Sequence, residues 1–537
     1  MRIVDTKEMK NIELIASKDF YFDERLVIEN VGAKGAKAIN EIVLEENPDI
    51  DLVFLIGKGN NGANGLSIAR HLRALGYRMR AFMLYPHSEC SPELIEQAKM
   101  AESFGVKLNH IEQFDELSSY FDQLPGQIAV VDALFGTGVV LPLSNFLYDV
   151  IKYINDNSSF TISVDIPSGV EGDTGFIQGN AIESDLTLAI ALPKLGYYVA
   201  DGAKRVGNIQ ILDVGFPTSL IDQGNKFLLG LEDIVDPILR RDKFADKKVF
   251  GHTLVIGGSH GLTGALVMAS QAALKVGAGL ITGATWEPQY QEFISRLIPE
   301  VMTGYIPIDT TKWTRLIKDL NQYSAIVIGP GLAKSTRARK LVLEVLNNFD
   351  GPVVLDADAI NVLTLKEDKE VFRLRNAPTI LTPHFGEFSK FAGIEPKDLE
   401  RSPVDHLRKL VDEINCTVLL KGPCTYMAFT DGSVFFNFFP NDGMATGGVG
   451  DVLAGILGGL LGQDQDLRDN QPLVNRYENF NKTVGLAVFI HSLSGHLAAT
   501  KLGVRAMSAM SIIDSFPEAF KELDERIGVI DYTQSRK

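Results

Sequence analysis

The stretch LIGKGNNGANGL, residues Leu55 to Leu66, decides the fold of the first half of the chain. The apolar run DIDLVFLIG leads into it, and the helical pattern LSIARHLRALG follows it. Its glycines Gly57, Gly59 and Gly62 have the GxGxxG spacing that lets a strand turn sharply into a helix. The stretch therefore predicts a strand–turn–helix unit of the dinucleotide-binding type, and raises the question of whether a dinucleotide binds there.

The surrounding residues do not favour a working nicotinamide cofactor. Such a fold places a carboxylate about 20 residues beyond the glycine turn, at the end of the second strand, to hold the ribose hydroxyls. Here the second strand ends in LYPHSEC, Leu84 to Cys90, without an acid at the tip of the strand itself. Two adjacent amides, Asn60 and Asn61, are also expected inside the loop. The prediction is a dinucleotide-like site that does not hold NAD as a hydride carrier.

Strand-like and helical runs alternate along both halves of the chain. From Asp49 onward the strand runs show little polar alternation, which predicts a Rossmann-like, mostly parallel sheet covered on both faces. The pattern breaks between Asp222 and Leu231 and resumes at HTLVIGG. In the second series, YMAFTDGSVFFNF predicts a hairpin with Asp-Gly at its turn. The sequence thus predicts two α/β domains, residues 1–222 and 223–537.

Bulk composition excludes several classes of protein. A formal net charge of −16 over 537 residues argues against a nucleic-acid or anionic-membrane partner. The three cysteines lack metal-binding spacing and fit a reducing compartment, so we expect a cytoplasmic protein without a secretory signal. The most apolar segments, VLAGILGGLLG and VGLAVFIHSL, are about ten residues long and are predicted to be buried helices and not membrane spans.

Polar residues at predicted strand ends indicate a site in the first domain. Asp132 ends the strand of VVDALFGTG, and Asp165 and Ser168 follow the strand of SVDIPSGV. The carboxyl ends of the strands form the ligand crevice of an open α/β sheet, so these residues should converge with Asn60 and Asn61. Their oxygen atoms suit a hard cation better than a soft transition metal. The alternative is that the two aspartates only cap loops.

The motifs NNGANG, VDALFGTG and VDIPSG, with ENVG near the N-terminus, resemble the signatures of the NAD(P)H-hydrate epimerase domain over roughly residues 1–220. That family inverts C6 of NADHX or NADPHX, the hydrated forms of NADH and NADPH, and binds a potassium ion. The resemblance implies that Asn61, Asp132 and Ser168 are potassium ligands. Asp165 is the candidate acid/base residue, since inversion needs a proton handled near the ring. The implied substrate-binding residues are Asn60, Asn61, Gly62, Ala63, Asn64, Gly136, Thr137, Gly138, Val139, Val140, Leu141, Pro142 and Asp165.

One departure from the epimerase pattern concerns the first glycine-rich loop. The family usually has NNGGDG, whereas this chain has Ala63 for a glycine and Asn64 for the aspartate. Asn64 keeps hydrogen bonding but loses the charge. If Ala63 must adopt a positive φ, its methyl group adds strain. The hypothesis is an epimerase that is weakened while its fold is intact.

The stretch NDGMATGGVGDVLAGILGGLLG, Asn441 to Gly462, carries the strongest signal of the second domain. Its glycines lead into Asp451, which opens an apolar helix. Backbone N–H groups at such a helix start form an anion hole, and Asp451 can take a proton from a hydroxyl that faces the phosphate. The chain has no GxxxxGK[ST] motif, which excludes the P-loop class. The alternative is that Asp451 is only a helix cap.

Seven motifs in order, GGSHGLTGA, PEVM, GPGLA, LDADAIN, LTPHFGEF, KGPCT and GMATGGVGD, resemble the ribokinase-like ADP-dependent NAD(P)H-hydrate dehydratase over about residues 245–515. With the epimerase domain, the chain resembles the bifunctional NAD(P)H-hydrate repair enzymes. The resemblance implies Asp451 as general base, ADP as phosphoryl donor with Mg²⁺, and NAD(P)H, AMP and phosphate as products. The implied hydrate-binding residues are Ala265, Gly331, His384 and Asp451. The implied nucleotide-binding residues are Lys421, Gly422, Pro423, Cys424, Thr425, Gly447, Gly448 and Gly450.

Other interpretations stay open at this point. The GxGD ending alone also fits a ribokinase-like kinase of a small alcohol fused to a binding domain, and a nucleotide-binding regulator is a third class. His384 and Lys421 each have a structural alternative, and Asp356 and Asp358 have the alternative of organising a strand end. His491 and His496, on an apolar helical run, are predicted to be structural.

Three residues of the second domain depart from the family pattern. Val449 replaces a threonine, Asp442 a proline and Ala333 a glycine. We expect dehydratase activity to survive, with weaker nucleotide binding. The expected partners are the small molecules NADHX, NADPHX and ADP, and the family implies a homo-oligomer.

Overall fold

The computed structural model describes residues 1–124, 126–138, 143–234, 244–464 and 473–534. The chain divides into two compact units, Arg2–Lys226 and Phe227–Lys537, and the second unit also includes Met1. Each unit has its own sheet and its own hydrophobic core. Both units are α/β, so the predicted fold class is confirmed.

The first unit contains a seven-stranded sheet in which adjacent strands are parallel. Its strands are β1 Asp51–Ile56, β2 Met79–Met83, β3 Lys107–His110, β4 Ile128–Ala133, β5 Phe160–Val164, β6 Leu186–Ile190 and β7 Asn208–Leu212. Their order in the sheet is β3-β2-β1-β4-β5-β6-β7. The direction of the connections reverses between β1 and β4, so the carboxyl ends of these strands flank a crevice.

Helices cover this sheet and bring the glycine-rich turn close to it. They are α1 Thr6–Phe20, α2 Glu24–Ile39, α3 Asn60–Ala74, α4 Pro92–Ser103, α5 Phe114–Phe121, α6 Asn145–Asn157 and α7 Thr218–Ile221. A Cβ atom on Gly65 would lie 2.4 Å from the Cβ of Ala133. Glycine therefore allows the start of α3 to pack directly on β4.

The second unit contains a ten-stranded sheet. Its strands are β8 Lys226–Leu228, β9 His252–Ile256, β10 Leu280–Trp286, β11 Met302–Ile306, β12 Ala325–Ile328, β13 Val353–Leu355, β14 Thr379–Leu381, β15 Thr417–Leu420, β16 Cys424–Ala428 and β17 Val434–Phe438. Their order is β11-β10-β9-β12-β13-β14-β15-β16-β17-β8. The pairs from β11 to β15 are parallel, whereas β16 pairs antiparallel with β15 and β17. The predicted hairpin is confirmed, with Asp431 and Gly432 between β16 and β17.

Two apolar helices form the centre of the second unit. Its helices are α8 Thr263–Lys275, α9 Tyr290–Arg296, α10 Trp313–Lys318, α11 Thr336–Asn348, α12 Asp358–Asn361, α13 Leu365–Arg373, α14 Phe385–Ala392, α15 Pro396–Arg401, α16 Pro403–Ile414, α17 Val449–Gln463, α18 Leu473–Leu502, α19 Ala509–Asp514 and α20 Phe516–Gln534. Every residue of α17 from Val452 onward is buried. The segment Asn479–Leu502 of α18 is long and apolar enough to span a membrane, but 78% of its apolar window is buried inside the fold. Both segments are core helices, as predicted.

Candidate active sites

The first candidate site lies at the carboxyl ends of β1, β4 and β5. Asn60 and Asn61 were predicted inside a loop, but α3 begins at Asn60 and places both amides in its first turn. The turn is this short because two glycines allow close backbone contacts. A Cβ atom on Gly57 would lie 1.8 Å from the carbonyl oxygen of Leu134, and one on Gly62 would lie 2.2 Å from that of Gly57.

Asn61 connects the three strands. Its Nδ2 donates hydrogen bonds to the carbonyl oxygens of Phe135 at 2.7 Å and Val164 at 2.9 Å. Its Oδ1 is buried and has no hydrogen-bond partner among the described residues, and the same is true of Oδ1 of Asn64. Buried polar atoms are rarely left unpaired, so these two oxygen atoms are expected to bind a ligand or an ion.

Asp132 and Ser168 form one hydrogen-bonded unit beside Asn61. The Ser168 hydroxyl donates to Oδ1 of Asp132 at 2.6 Å, and its backbone N–H donates to Oδ2 at 2.8 Å. The Ser168 hydroxyl also accepts a hydrogen bond from the N–H of Phe135 at 3.0 Å. Ser163 and the N–H of Leu134 complete the partners of the carboxylate. Burial raises the pKa of Asp132, and these neutral donors oppose the shift.

The hydrogen-bond partners of Asp132 leave its charge without a positive partner among the described residues. Asp132 is fully buried, and each of its described partners is a neutral donor and not a cation. A buried carboxylate normally requires a positive partner. The unpaired Oδ1 of Asn61 supplies a further acceptor next to the same backbone segment.

Asp165 occupies a strained position at the end of β5. Its φ is +67°, in the left-handed region, although it is not a glycine. Its carboxylate forms an ion pair with Lys194, and its carbonyl oxygen accepts a hydrogen bond from the Tyr197 hydroxyl. A Cβ atom on Gly136 would lie 3.1 Å from Oδ2 of Asp165, so this glycine leaves the carboxylate open on that side.

Lys194 and Glu13 were not identified from the sequence. The Lys194 side chain is 1% exposed, and its Nζ also donates to the carbonyl oxygen of Ile190 at 2.9 Å. Because Lys194 follows the end of β6, the rule that sites form at carboxyl strand ends could have found it. Glu13 lies on α1, and its side chain is exposed. Desolvation by the surrounding protein and the nearby Asp165 carboxylate raise the pKa of Glu13 to about 7.

The remaining predicted residues of the first site differ in position. Asn60 is exposed, and its amide donates to the Glu24 carboxylate. Thr137 is half-buried and Gly138 is exposed in the turn after β4. Val139, Val140, Leu141 and Pro142 lie outside the described residues.

The second candidate site is a cavity of about 940 Å³ at the start of α17. Its lining residues include His384, Lys421, Gly422, Pro423, Thr425, Asp442, Gly447, Val449, Gly450 and His491. Gly448 precedes α17 with a φ of +92°, and an added Cβ atom there would lie 2.5 Å from Cε of Met268. An added Cβ atom on Gly447 would meet nothing within 4 Å, so this part of the turn is open. The exposed backbone at a helix start suits a phosphate group.

Asp451 lies beside this cavity in an acidic cluster that Lys421 partly neutralises. Lys421 Nζ is 2.7 Å from Oδ1 of the buried Asp356, which also accepts a hydrogen bond from Thr382 at 2.7 Å. An added Cβ atom on Gly450 would lie 3.1 Å from Lys421 Nζ, so the ammonium group reaches the glycine turn. Burial and the nearby Asp356 carboxylate raise the pKa of Asp451 to about 7, against the opposing charge of Lys421. A carboxyl group with this pKa is suited to general base catalysis near neutral pH.

The two histidines at this cavity have different surroundings. Nδ1 of His384 accepts hydrogen bonds from the N–H groups of Gly386 and Glu387, while 62% of its side chain remains exposed. Its Nε2 lies 3.6 Å from Oε1 of Glu387. His491 is buried, its Nε2 lies 3.1 Å from the carbonyl oxygen of Val449, and burial lowers its pKa to about 4. This contact supports the start of α17, which agrees with a structural role.

Five of the predicted residues do not line this cavity, and two of them, Gly448 and Asp451, lie beside it at the start of α17. Ala265 and Gly331 lie against each other, since a Cβ atom on Gly331 would be 3.2 Å from that of Ala265. The Cys424 side chain is buried at the start of β16, and burial raises the pKa of its thiol. Its neighbours Pro423 and Thr425 line the cavity.

Two alanines that replace family glycines have opposite backbone conformations. Ala63 is fully buried inside α3, so the suspected strain is absent. Ala333 has a φ of +64°, where an alanine is strained.

We expect Ala63→Gly to lower the free energy of unfolding by about 1 kcal/mol, because glycine is a poor helix former. We expect Ala333→Gly to raise it by about 1 kcal/mol, because glycine adopts the left-handed conformation without a Cβ clash.

Denaturant titration of the full chain would measure both changes. Both tryptophans, Trp286 and Trp313, lie in the second unit, so tryptophan fluorescence follows that unit and circular dichroism follows both. Changes of the same sign in the two variants would contradict this explanation.

Comparisons with known proteins match both halves of the chain. A family model described as NAD(P)H-hydrate dehydratase matches residues 253–518, and one described as the YjeF-related protein N-terminus matches residues 24–196. The bifunctional NAD(P)H-hydrate repair enzyme of Moorella thermoacetica is 32% identical over 99% of this chain and 98% of its own length. The enzyme of the same name from Coxiella burnetii is 30% identical over 92% of this chain and 96% of its own.

Among solved structures, an ADP/ATP-dependent NAD(P)H-hydrate dehydratase from Bacillus subtilis, co-crystallised with ATP and Mg²⁺, is 26% identical. It covers 55% of this chain and 98% of its own, with a TM-score of 0.46. The full-length relatives bear out the resemblance found in the motifs of both halves. The chain therefore belongs to the family of bifunctional NAD(P)H-hydrate repair enzymes, which join an epimerase domain to a dehydratase domain.

Proposed function

We propose that the second unit dehydrates (6S)-NAD(P)HX with ADP as phosphoryl donor and that Asp451 is its general base. The observation that carries this proposal is the position of Asp451. It lies in the first turn of α17, beside an open glycine turn, with a pKa raised to about 7 by burial and by Asp356. This position supports a mechanism in which a base acts beside a helix start that suits an anion.

The chemistry follows from this arrangement. Asp451 accepts the proton of the C6 hydroxyl while that oxygen attacks the terminal phosphorus of ADP. A phosphorus–oxygen bond breaks and AMP leaves. The phosphorylated oxygen is then a good leaving group, and the lone pair of the ring nitrogen expels it as phosphate. Loss of a proton from C5 gives NAD(P)H. The backbone N–H groups of the turn and Lys421 are placed to stabilise the charge on the transferred group.

A magnesium ion would enter with the nucleotide. Among the described residues, no group of three or more His, Cys, Asp or Glu side chains could hold a metal ion by itself. Mg²⁺ commonly binds through substrate phosphates and one or two carboxylates, and Asp356 and Asp358 lie near Asp451. The bound ion would neutralise phosphate charge.

In the first unit, Asp165 is proposed as the acid/base residue of the epimerase. C6 of the substrate carries both a hydroxyl group and the ring nitrogen. Breaking the bond from C6 to the hydroxyl oxygen or to the ring nitrogen requires a proton transfer at one of these two atoms. Forming that bond again on the opposite face of C6 inverts its configuration. Oδ2 of Asp165 lies next to Gly136, where a side chain would crowd it, and Lys194 holds the carboxylate in place.

Asn61, Asp132 and Ser168 are proposed to hold a potassium ion next to Asp165. The unpaired Oδ1 of Asn61 and the uncompensated carboxylate of Asp132 support this assignment. The ion would supply positive charge that balances Asp132 and the anionic groups of the substrate. The Asn61 and Ser168 side chains both form a hydrogen bond with the backbone of Phe135. They therefore lie close enough to share one ligand.

An assay of the full chain tests the dehydratase proposal. Pure (6S)-NADHX is incubated with enzyme, Mg²⁺ and either ADP, ATP or no nucleotide, and NADH is followed by its near-ultraviolet absorbance. We expect NADH, AMP and phosphate in equal amounts with ADP. A stable phosphate ester without NADH would refute the proposal and support a small-alcohol kinase. The (6R) epimer in potassium and in sodium buffer then tests the epimerase and its ion.

The charges around Asp451 should set the pH dependence of the dehydratase. A base must be deprotonated, so the rate should fall as the pH drops below about 7, the raised pKa of Asp451. Asp356→Asn removes the main negative neighbour and should move this fall to lower pH. Asp358→Asn should move it less, in the same direction, and Lys421→Gln should move it to higher pH. Profiles of kcat/KM against pH measure these shifts, and four coincident profiles would show that another group titrates.

A further inference from the structure

The first unit has a second concave surface, at the end of its sheet opposite the active site. A cavity of about 350 Å³ lies against the starts of β1, β2 and β3. Asp51 begins β1 and lines this cavity, whereas the active-site turn begins after Ile56 at the other end of the strand. At about 3.3 Å per residue, the strand separates the two places by roughly 20 Å.

Four basic side chains line this cavity. They are Arg73, Arg78, Arg80 and Lys107. The sheet brings two of them together, because Arg80 on β2 is the register partner of Lys107 on β3. Register partners on neighbouring strands present their side chains to the same face. Arg73 approaches from the end of α3, since a Cβ atom on Gly105 would lie 3.4 Å from its Nε.

The arginines at this cavity are unusual within the first unit in their lack of ion pairs. Within the described part of the chain, no carboxylate forms an ion pair with any of the four cations. The other arginines of the unit each form one, and they are Arg2, Arg25, Arg70 and Arg205. Asp51 is the only acid in the described lining, so the cavity carries an excess of three positive charges in a chain of net charge −16. Such an excess in a cleft attracts anions.

One of the cations is held in a fixed position. The guanidinium carbon of Arg80 lies 4.3 Å from the centre of the Tyr120 ring. Tyr120 in turn packs edge-on against Phe82, with ring centres 4.8 Å apart. A stacked guanidinium loses little conformational freedom on binding and keeps its N–H groups free for an oxyanion.

We propose that this cavity binds a small molecule through its phosphate or pyrophosphate group. Arginine and lysine side chains recognise phosphate through charge-assisted hydrogen bonds, which are bidentate for arginine. The volume is at the lower end of the range of small-molecule sites, which fits a compact ligand or a phosphate-bearing part of a larger one. The site is separate from the epimerase crevice and does not depend on its chemistry.

Arginine footprinting of the full chain tests this proposal. The protein is treated with phenylglyoxal, and modification of each arginine is measured by mass spectrometry with inorganic pyrophosphate or with chloride of equal ionic strength. We expect pyrophosphate to slow the modification of Arg78 and Arg80 at least several-fold. Arg315 of the second unit, whose side chain is 94% exposed, should react at an unchanged rate.

Two variants and one concentration series complete the test. Lys107→Gln should reduce the protection, while the matched control Lys99→Gln, an exposed lysine on α4, should not. Equal rates in pyrophosphate and chloride would overturn the proposal. Protection that rises with protein concentration without added pyrophosphate would also overturn it, because the surface would then be a contact between copies of the chain.

Discussion

The Asp451→Asn variant is expected to lose about 10³-fold in kcat of the dehydratase reaction. Asparagine keeps the shape of the side chain but cannot accept the hydroxyl proton. The helix start, the glycine turn and Lys421 remain, so the KM for ADP should change little. The effect is large because the surrounding charges and burial bring the pKa of Asp451 to about 7, where the carboxylate is a much stronger base than an exposed aspartate.

The rate of NADH formation from (6S)-NADHX at saturating ADP measures this loss. Asp405→Asn is the matched control, because Asp405 is exposed in the first turn of α16 in the same unit. The control should keep the rate of the unmodified chain. If Asp451→Asn keeps more than a tenth of that rate, Asp451 only supports the first turn of α17 and another group removes the proton.

The Asp165→Asn variant is expected to lower kcat/KM of the epimerase by about 10²–10³-fold. Asparagine tolerates the positive φ at this position, so the backbone should be retained. The same change leaves the buried Lys194 ammonium without its counter-charge. Breaking a buried ion pair in this way should lower the free energy of unfolding of the first unit by about 3 kcal/mol.

A double variant separates catalysis from stability. Asp165→Asn with Lys194→Met removes both charges, and it should recover much of the lost stability because no unpaired charge remains. It should stay inactive as an epimerase. Activity is measured by conversion of pure (6R)-NADHX, with denaturant titration beside it. If the double variant recovers activity together with stability, Asp165 has only a structural role.

The larger features of the fold could be predicted from sequence because they follow from local patterns. Short apolar runs that alternate with segments of helical periodicity indicate a parallel sheet covered by helices. The hairpin between β16 and β17 could be predicted because an Asp-Gly pair favours a tight connection, and Gly432 there has a φ of +100°. The position of Asp451 at a helix start follows in the same way from the glycines before it.

Features that depend on distant parts of the chain could not be predicted. Ala63 and Ala333 look equivalent in the sequence, since each replaces a glycine, but one is helical and the other has a φ of +64°. The partnership of Asp165 with Lys194 joins residues that follow different strands. Among the residues that the structure describes, Arg78 and Arg80 form no ion pair, and this is visible only once the neighbouring strands and helices are placed. Each of these depends on tertiary contacts that no short pattern encodes.

The burial of α17 and α18 also determines the order in which the two units can fold during translation. The core of the first unit is complete by Phe216, so this unit can fold while the rest is still being translated. The core of the second unit includes residues as late as Leu523. The strands from β9 onward therefore cannot bury their apolar faces completely until nearly the whole polypeptide has been synthesised. The dehydratase half is thus the part of this protein that depends most on protection by chaperones during synthesis.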